Sequence, residues 1–154
     1  MSSQKKYILV VNPISGDVDK SEIIATANQF AENENIKLIV FETTGNNDDK
    51  EIQRLQKENE AERIIIVGGD GTIKMVAEAV QDHNVILGII PGGSANGLSV
   101  DLNLPEELEE NLKIAFHNSY MEMDMISING KKSLHLSDIG INAELVRNYE
   151  NSNV

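Results

Sequence analysis

Residues 64–72 read Ile64-Ile65-Ile66-Val67-Gly68-Gly69-Asp70-Gly71-Thr72, four β-branched aliphatics running directly into three glycines and an aspartate. An apolar run this short, bounded by glycine, reads as a strand buried on both faces, as in a parallel sheet covered by helices. The residues after it place Ile73, Val76, Ala77 and Val80 at helical spacing, which predicts a helix over 73–81. The junction is therefore a strand-to-helix turn built from glycine. Such a turn lets backbone N–H groups converge on a ligand, and the following helix adds unpaired N–H groups and its positive dipole end; together these suit a phosphate. The spacing is neither GxxxxGK[ST] nor a full GxGxxG. The plainer reading is a tight βα turn with Asp70 or Thr72 as helix N-cap. Asp70 argues for more, because an anion among phosphate-binding amides makes sense if it holds Mg2+ or accepts a hydroxyl proton.

Outward from this stretch the same grammar repeats. Apolar runs at 7–11, 37–41 and 85–90 join 63–67 as strands, and helix-compatible segments occupy 21–31 and 49–60. A further helix is predicted from Pro105, with proline in its first turn and Glu106 and Glu107 at the positive end of the dipole. Alternating strands and helices predict βαβ units and an α/β fold with a parallel sheet. Each strand ends in a polar or glycine-rich loop: Asn12-Pro13-Ile14-Ser15-Gly16, Glu42-Thr43-Thr44-Gly45, the GGDGT turn, and Pro91-Gly92-Gly93-Ser94-Ala95-Asn96-Gly97. In the last of these the glycines free the backbone, Ser94 offers a hydroxyl, and Asn96 can tie neighbouring loops together. All four loops fall at the carboxyl ends of parallel strands, the edge on which open α/β sheets bind ligands. Asp48-Asp49 reads as a helix-start charge pair, and the glutamates of 106–110 as a solvated helix face.

Beyond residue 120 the pattern changes. Asn129-Gly130 between two apolar stretches reads as a two-residue hairpin turn with antiparallel strands. The expected organisation is an α/β domain over 1–120 and the first strands of a β-rich domain over 121–154, too few to stand as an independent sheet. Unfinished sheet edges also predict self-association. Met121, Met123 and Met125 alternate with acids and mark one face of a strand. His83, His117 and His135 share no metal-ligand spacing.

Composition narrows the possibilities. The 154 residues carry 13 Lys plus Arg against 25 Asp plus Glu, a formal charge of −12, which argues against nucleic-acid partners and against adsorption onto anionic lipid. The absence of cysteine excludes disulfides, thiolate metal sites and cysteine nucleophiles, and fits a cytoplasmic protein. No apolar stretch is long enough to span a membrane, so membrane engagement would be peripheral.

The loops NPISG, GGDGT and PGGSANGLS, with Thr43 between the first two, stand in the order and approximate spacing of the diacylglycerol kinase catalytic domain family, which the chain resembles over nearly its whole length. GGDGT is shared chiefly with NAD kinases and, as GGDGS, with phosphofructokinases; the other loops sharpen the resemblance toward lipid kinases. The resemblance implies a Rossmann-like nucleotide-binding domain followed by a β-sandwich, and an ATP- and Mg2+-dependent phosphotransferase acting on a lipid hydroxyl. It implies that Asn12, Pro13, Ile14, Ser15 and Gly16 border the nucleotide and that Thr43 contacts it. Gly68, Gly69, Asp70, Gly71, Thr72, Ile73 and Lys74 would wrap its phosphates, with Asp70 catalytic, and Ser94 would stand where the family has Thr or Ser. The Gly93-Ser94-Ala95-Asn96 segment lacks the acidic residue of the GTxND form common in bacterial members and is nearer the GSxN of sphingosine kinases, which leaves the lipid open. Lys74 replaces a common Asn, and its place in the first helical turn suits a nearby phosphate. Two other readings remain: an NAD-kinase-like enzyme with a soluble acceptor, and a non-catalytic nucleotide-binding module.

Overall fold

Strands β1 (Lys6–Val11), β2 (Lys37–Glu42), β3 (Arg63–Gly68) and β4 (Ile86–Pro91) alternate with helices α1 (Lys20–Asn33), α2 (Asp48–Asn59) and α3 (Asp70–Ala79), followed by α4 (Gly97–Asp101) and α5 (Leu108–His117). The computed structural model describes residues 3–16, 19–92, 96–117, 126–128 and 131–133. The chain divides into two units, Met1–Met121 and Glu122–Val154. In the first, all strand pairs are parallel and the sheet order is β2-β1-β3-β4.

The apolar runs form strands because both faces of the sheet are covered. Tyr7, Leu9, Val11, Ile65, Val67 and Ile90 pack against α1 through Ile23, Ala27 and Ala31, and against α5 through Leu112, Ala115 and Phe116. The intervening Ile8, Val10, Ile64 and Ile66 point the other way, as strand alternation requires, and are fully buried on the face of α2 and α3 along with Ile52 and Val76. The chain thus leaves β1 toward one face and leaves β3 toward the opposite face. These adjacent strands with oppositely directed connections form a topological switch point, where a crevice opens beyond their carboxyl ends. Strand β2 carries a similar apolar run over 38–41 but ends the sheet, so none of its residues is fully buried and Val40 is 37% exposed.

Most element boundaries shift by one to three residues from expectation, and three helix starts show why. Helix α3 begins at Asp70 instead of Ile73, with Gly69 as N-cap, so neither Asp70 nor Thr72 is the cap. Glycine, lacking Cβ, lets the chain pass from strand into helix without an intervening loop. The helix expected from Pro105 starts at Leu108, where the apolar stripe of Leu108, Leu112, Ala115 and Phe116 begins to pay its way against the sheet. Pro105 lies in the connection after α4, where Asn103 takes the left-handed region with φ 53°. Finally, α1 starts at Lys20, where Asp19 caps it by accepting from the Ser21 N–H at 2.9 Å.

In the second unit, β5 (Ile126–Ile128) and β6 (Lys131–Ser133) pair antiparallel, with Ile128 opposite Lys131. Their connecting Asn129-Gly130, the three methionines at 121, 123 and 125, and His135 lie outside the described residues.

Candidate functional site

The β3–α3 junction sets the geometry of the site. Gly68 cannot be another residue without movement, because a Cβ there would stand 2.8 Å from Thr72 Oγ1. Gly69 brings no side chain to cap α3, so the first-turn N–H groups are served neither by an intrahelical partner nor by an N-cap side chain. Gly71 is in the first turn and lines the cleft, and among the described residues a Cβ on it would meet no atom within 4 Å outside its chain neighbours and its own helix backbone. That space is open cleft.

The loop after β1 is tied to this turn. Asn12 N–H donates to the Val67 carbonyl at 2.9 Å, continuing the sheet, and Asn12 Nδ2 donates to Thr72 Oγ1 at 3.2 Å. Asn12 Oδ1 in turn accepts from Ile14 N–H at 3.3 Å. The Ser15 hydroxyl lies 3.0 Å from both the Asn12 and the Gly92 carbonyls and so bridges this loop to the end of β4. Gly16 takes φ 63°, a left-handed turn that glycine adopts without strain. Beneath the loop, Lys20 is only 6% exposed and its Nζ donates to the Ser15 carbonyl.

The third wall comes from β2. Thr43 N–H donates to the Val11 carbonyl at 2.8 Å, which carries the strand one step further and brings Thr43 to the cleft. The next turn is held by Asp48, an 8% exposed carboxylate that accepts from Thr44 N–H at 2.8 Å, Thr44 Oγ1 at 3.0 Å and Gly45 N–H at 2.8 Å. Burial alone would raise its pKa, but the hydrogen bonds from Thr44 and Gly45 outweigh that and hold it below the ordinary aspartate value.

Together these loops enclose a cavity of about 450 Å³, lined by 12–15, by 43–45 with Asp48, and by 69–72 with Met75. The volume is within the range of small-molecule sites. Pro13, Ile14 and Met75 supply apolar wall, and Ile14 is 89% exposed at the rim. The charged groups lining the cavity are Asp48 and Asp70, with no Lys, Arg or His among the described lining residues. Asp70 reaches across to the start of α4, its Oδ2 accepting from Gly97 N–H at 3.0 Å and its Oδ1 from Leu98 N–H at 3.1 Å. It therefore joins the GGDGT turn to the chain after β4.

Of the residues singled out in the sequence, Asn12, Pro13, Ile14, Ser15, Thr43, Gly69, Asp70, Gly71 and Thr72 line one cleft. Gly16 and Gly68 shape its walls from behind. Ile73 turns its side chain into the core and its N–H donates to the Gly69 carbonyl at 3.1 Å. Lys74 is outside the lining, on an exposed helix face with Nζ 4.0 Å from Glu78. Ser94 lies outside the described residues. Sequence reasoning missed Lys20 and Asp48, the two buried charges that hold the flanking loops. An aspartate three residues after a Thr-Gly turn was the available signal for Asp48.

Fold and site together define a doubly wound α/β domain with a glycine-lined cleft at its switch point. Residues 6–128 match the model of the diacylglycerol kinase catalytic domain, and the chain belongs to that family. It is 41% identical over 76 residues to the Probable lipid kinase YegS of Salmonella arizonae, covering 47% of this chain and 25% of that protein. A Synechocystis relative described as uncharacterized protein sll0036 is 30% identical over 148 residues, covering 90% of this chain and 34% of its own length. A crystal structure of a diacylglycerol kinase from Bacillus anthracis str. Sterne superposes with a TM-score of 0.68 at 25% identity, over 86% of this chain and 49% of that one. The chain thus spans between a quarter and about half the length of these relatives.

Proposed function

We propose that the cleft binds ATP and that the protein of which this chain is the nucleotide-binding part transfers the γ-phosphoryl group to a lipid hydroxyl. The observation that carries this reading is the open space over Gly71, at an uncapped helix start on the switch point, in a chain of the diacylglycerol kinase catalytic domain family. The triphosphate lies on the first turn of α3, where backbone N–H groups and the helix dipole favour an anion. Asn12 orients Thr72 at that end, and Thr43 contacts the nucleoside.

The donor set suits Mg2+, an ion usually held by one or two carboxylates together with substrate phosphates and water. A triphosphate facing two carboxylates, with no cation among the described lining residues, brings its counter-charge with it, and Asp70 is the carboxylate on the phosphate side. Bound there, Mg2+ would neutralise charge developing on the phosphates. Asp70 takes the Gly97 and Leu98 N–H groups one on each oxygen, and the same carboxylate lines the cleft. It serves as metal ligand or as acceptor of the lipid hydroxyl proton.

Among the described residues no helix is long and apolar enough to cross a membrane. The lack of cysteine fits a cytoplasmic protein, and a formal charge of −12 opposes adsorption onto anionic lipid, so lipid is reached by peripheral apolar contact, with self-association through the sheet edge. The experiment is transfer of radiolabel from γ-labelled ATP into extracted lipids by the full-length protein, with NAD as a competing acceptor, for wild type and Asp70→Asn. Labelled lipid, lost in the variant, is the expected result. Label in NAD, or in neither acceptor while ATP still binds, would move the assignment to a soluble-acceptor kinase or to a binding module.

A further inference from the structure

Two helix starts face the cleft. At α3 the first turn is uncapped and open over Gly71. At α2 the N-cap Asn47 is left-handed, at φ 54°, and makes no side-chain cap, yet the neighbouring amides are not vacant. Thr44 N–H, Gly45 N–H and Thr44 Oγ1 all converge on the Asp48 carboxylate, at 2.8, 2.8 and 3.0 Å. This is the pattern by which a loop cradles an anion, with the anion built into the chain. Asp49 and Glu51 add further negative charge in the same helical turn. A phosphate approaching this wall would find its donors taken and a like charge already buried there.

We propose that Asp48 is a positioning residue that sets which way round the nucleotide lies: by occupying the Thr44 and Gly45 amides it closes the β2 arm of the cleft to phosphate and reserves it for the nucleoside. The inference rests on the nucleotide reading of the cleft and adds a polarity to it. The base and ribose lie between Thr43 and the apolar wall of Pro13, Ile14 and Met75, and the phosphates run toward Gly69, Gly71 and Thr72. Asp48 acts through the loop and needs no contact with the reacting atoms.

The test maps the two halves of the ligand separately. The 15N-labelled chain is titrated with adenosine and, in a second sample, with inorganic tripolyphosphate, and amide shifts are followed. Adenosine is expected to move the amides of 43–45, and tripolyphosphate those of 69–72 while leaving Thr44 and Gly45 in place. In Asp48→Asn, which removes the charge and keeps the shape, tripolyphosphate is expected to move Thr44 and Gly45 as well. Tripolyphosphate on Thr44 and Gly45 in the wild type, or an unaltered pattern in the variant, overturns the role given to Asp48 while the nucleotide site stands. If neither ligand moves the amides of 43–45 or 69–72, the nucleotide reading falls and the polarity with it. Tripolyphosphate on Thr44 and Gly45 in the wild type overturns the proposal whether or not Asp48→Asn folds.

Discussion

Asp48 and Asp70 are both acidic, both line the cleft, and each spends its oxygens on backbone amides of a different loop. Because hydrogen bonding holds the Asp48 pKa below the ordinary 3.8 despite burial, its charged form is favoured more in the folded than in the unfolded chain. Its contribution to stability is therefore fully present above the ordinary aspartate value and is lost as pH falls through the lower, folded value. Asp48→Asn is expected to flatten that part of the acid limb of the stability curve, measured by denaturant unfolding at a series of pH values. A limb unchanged in shape would show that the three hydrogen bonds do not favour the carboxylate. The role of Asp48 was not legible in sequence, since it depends on the chain turning back through Gly45 at φ 85° and Asn47 at φ 54°. Asp70 was legible as unusual because glycines surround it, but its reach to Gly97 and Leu98 spans 27 and 28 residues and follows from the fold alone.

Among the elements, β1 and β3 were readable because their near-continuous apolar runs are buried on both faces, and the alternation of strands and helices placed the polar loops on one edge. The exposed edge position of β2 was not readable, because its 38–41 run (LIVF) is as continuously apolar as those of the central strands and only the pairing order shows that it has one neighbour. The late start of α5 was likewise set by packing. Its last turn is secured at the edge of the sheet away from the cleft: Tyr7 Oη donates to the Phe116 carbonyl at 3.1 Å, and Arg63 Nη1 to the Ala115 carbonyl at 3.0 Å. These satisfy carbonyls that a helix end leaves without intrahelical partners. Tyr7→Phe keeps the ring against Phe116 and removes one buried hydrogen bond, a loss of about 1 kcal/mol. Its thermal midpoint is expected to fall while ATP affinity by calorimetry stays within about twofold, the small change left by a site that distant mutation does not reach. A weakened affinity would mean that α5 and the cleft are mechanically coupled.

At the scale of the molecule, a sheet ending in β2, with Val40 37% exposed on it, presents unpaired backbone groups to a second chain. Sedimentation equilibrium is expected to show a concentration-dependent dimer that Val40→Lys disperses, because lysine on an edge strand opposes pairing. A dimer that survives the lysine would place the contact elsewhere. The central proposition is that a triphosphate sits on the first turn of α3, and Gly71 isolates it, since among the described residues a side chain there meets no atom outside its chain neighbours and its own helix backbone and faces the cleft. Replacing glycine by alanine within a helix gains about 0.5–1 kcal/mol, so Gly71→Ala is expected to melt at or above the wild-type temperature. The deciding measurement is calorimetric titration of Mg-ATP into wild type and Gly71→Ala. The expected result is a loss of about tenfold or more in affinity, near 1.4 kcal/mol, from a protein no less stable; equal affinities would contradict the placement of the phosphates.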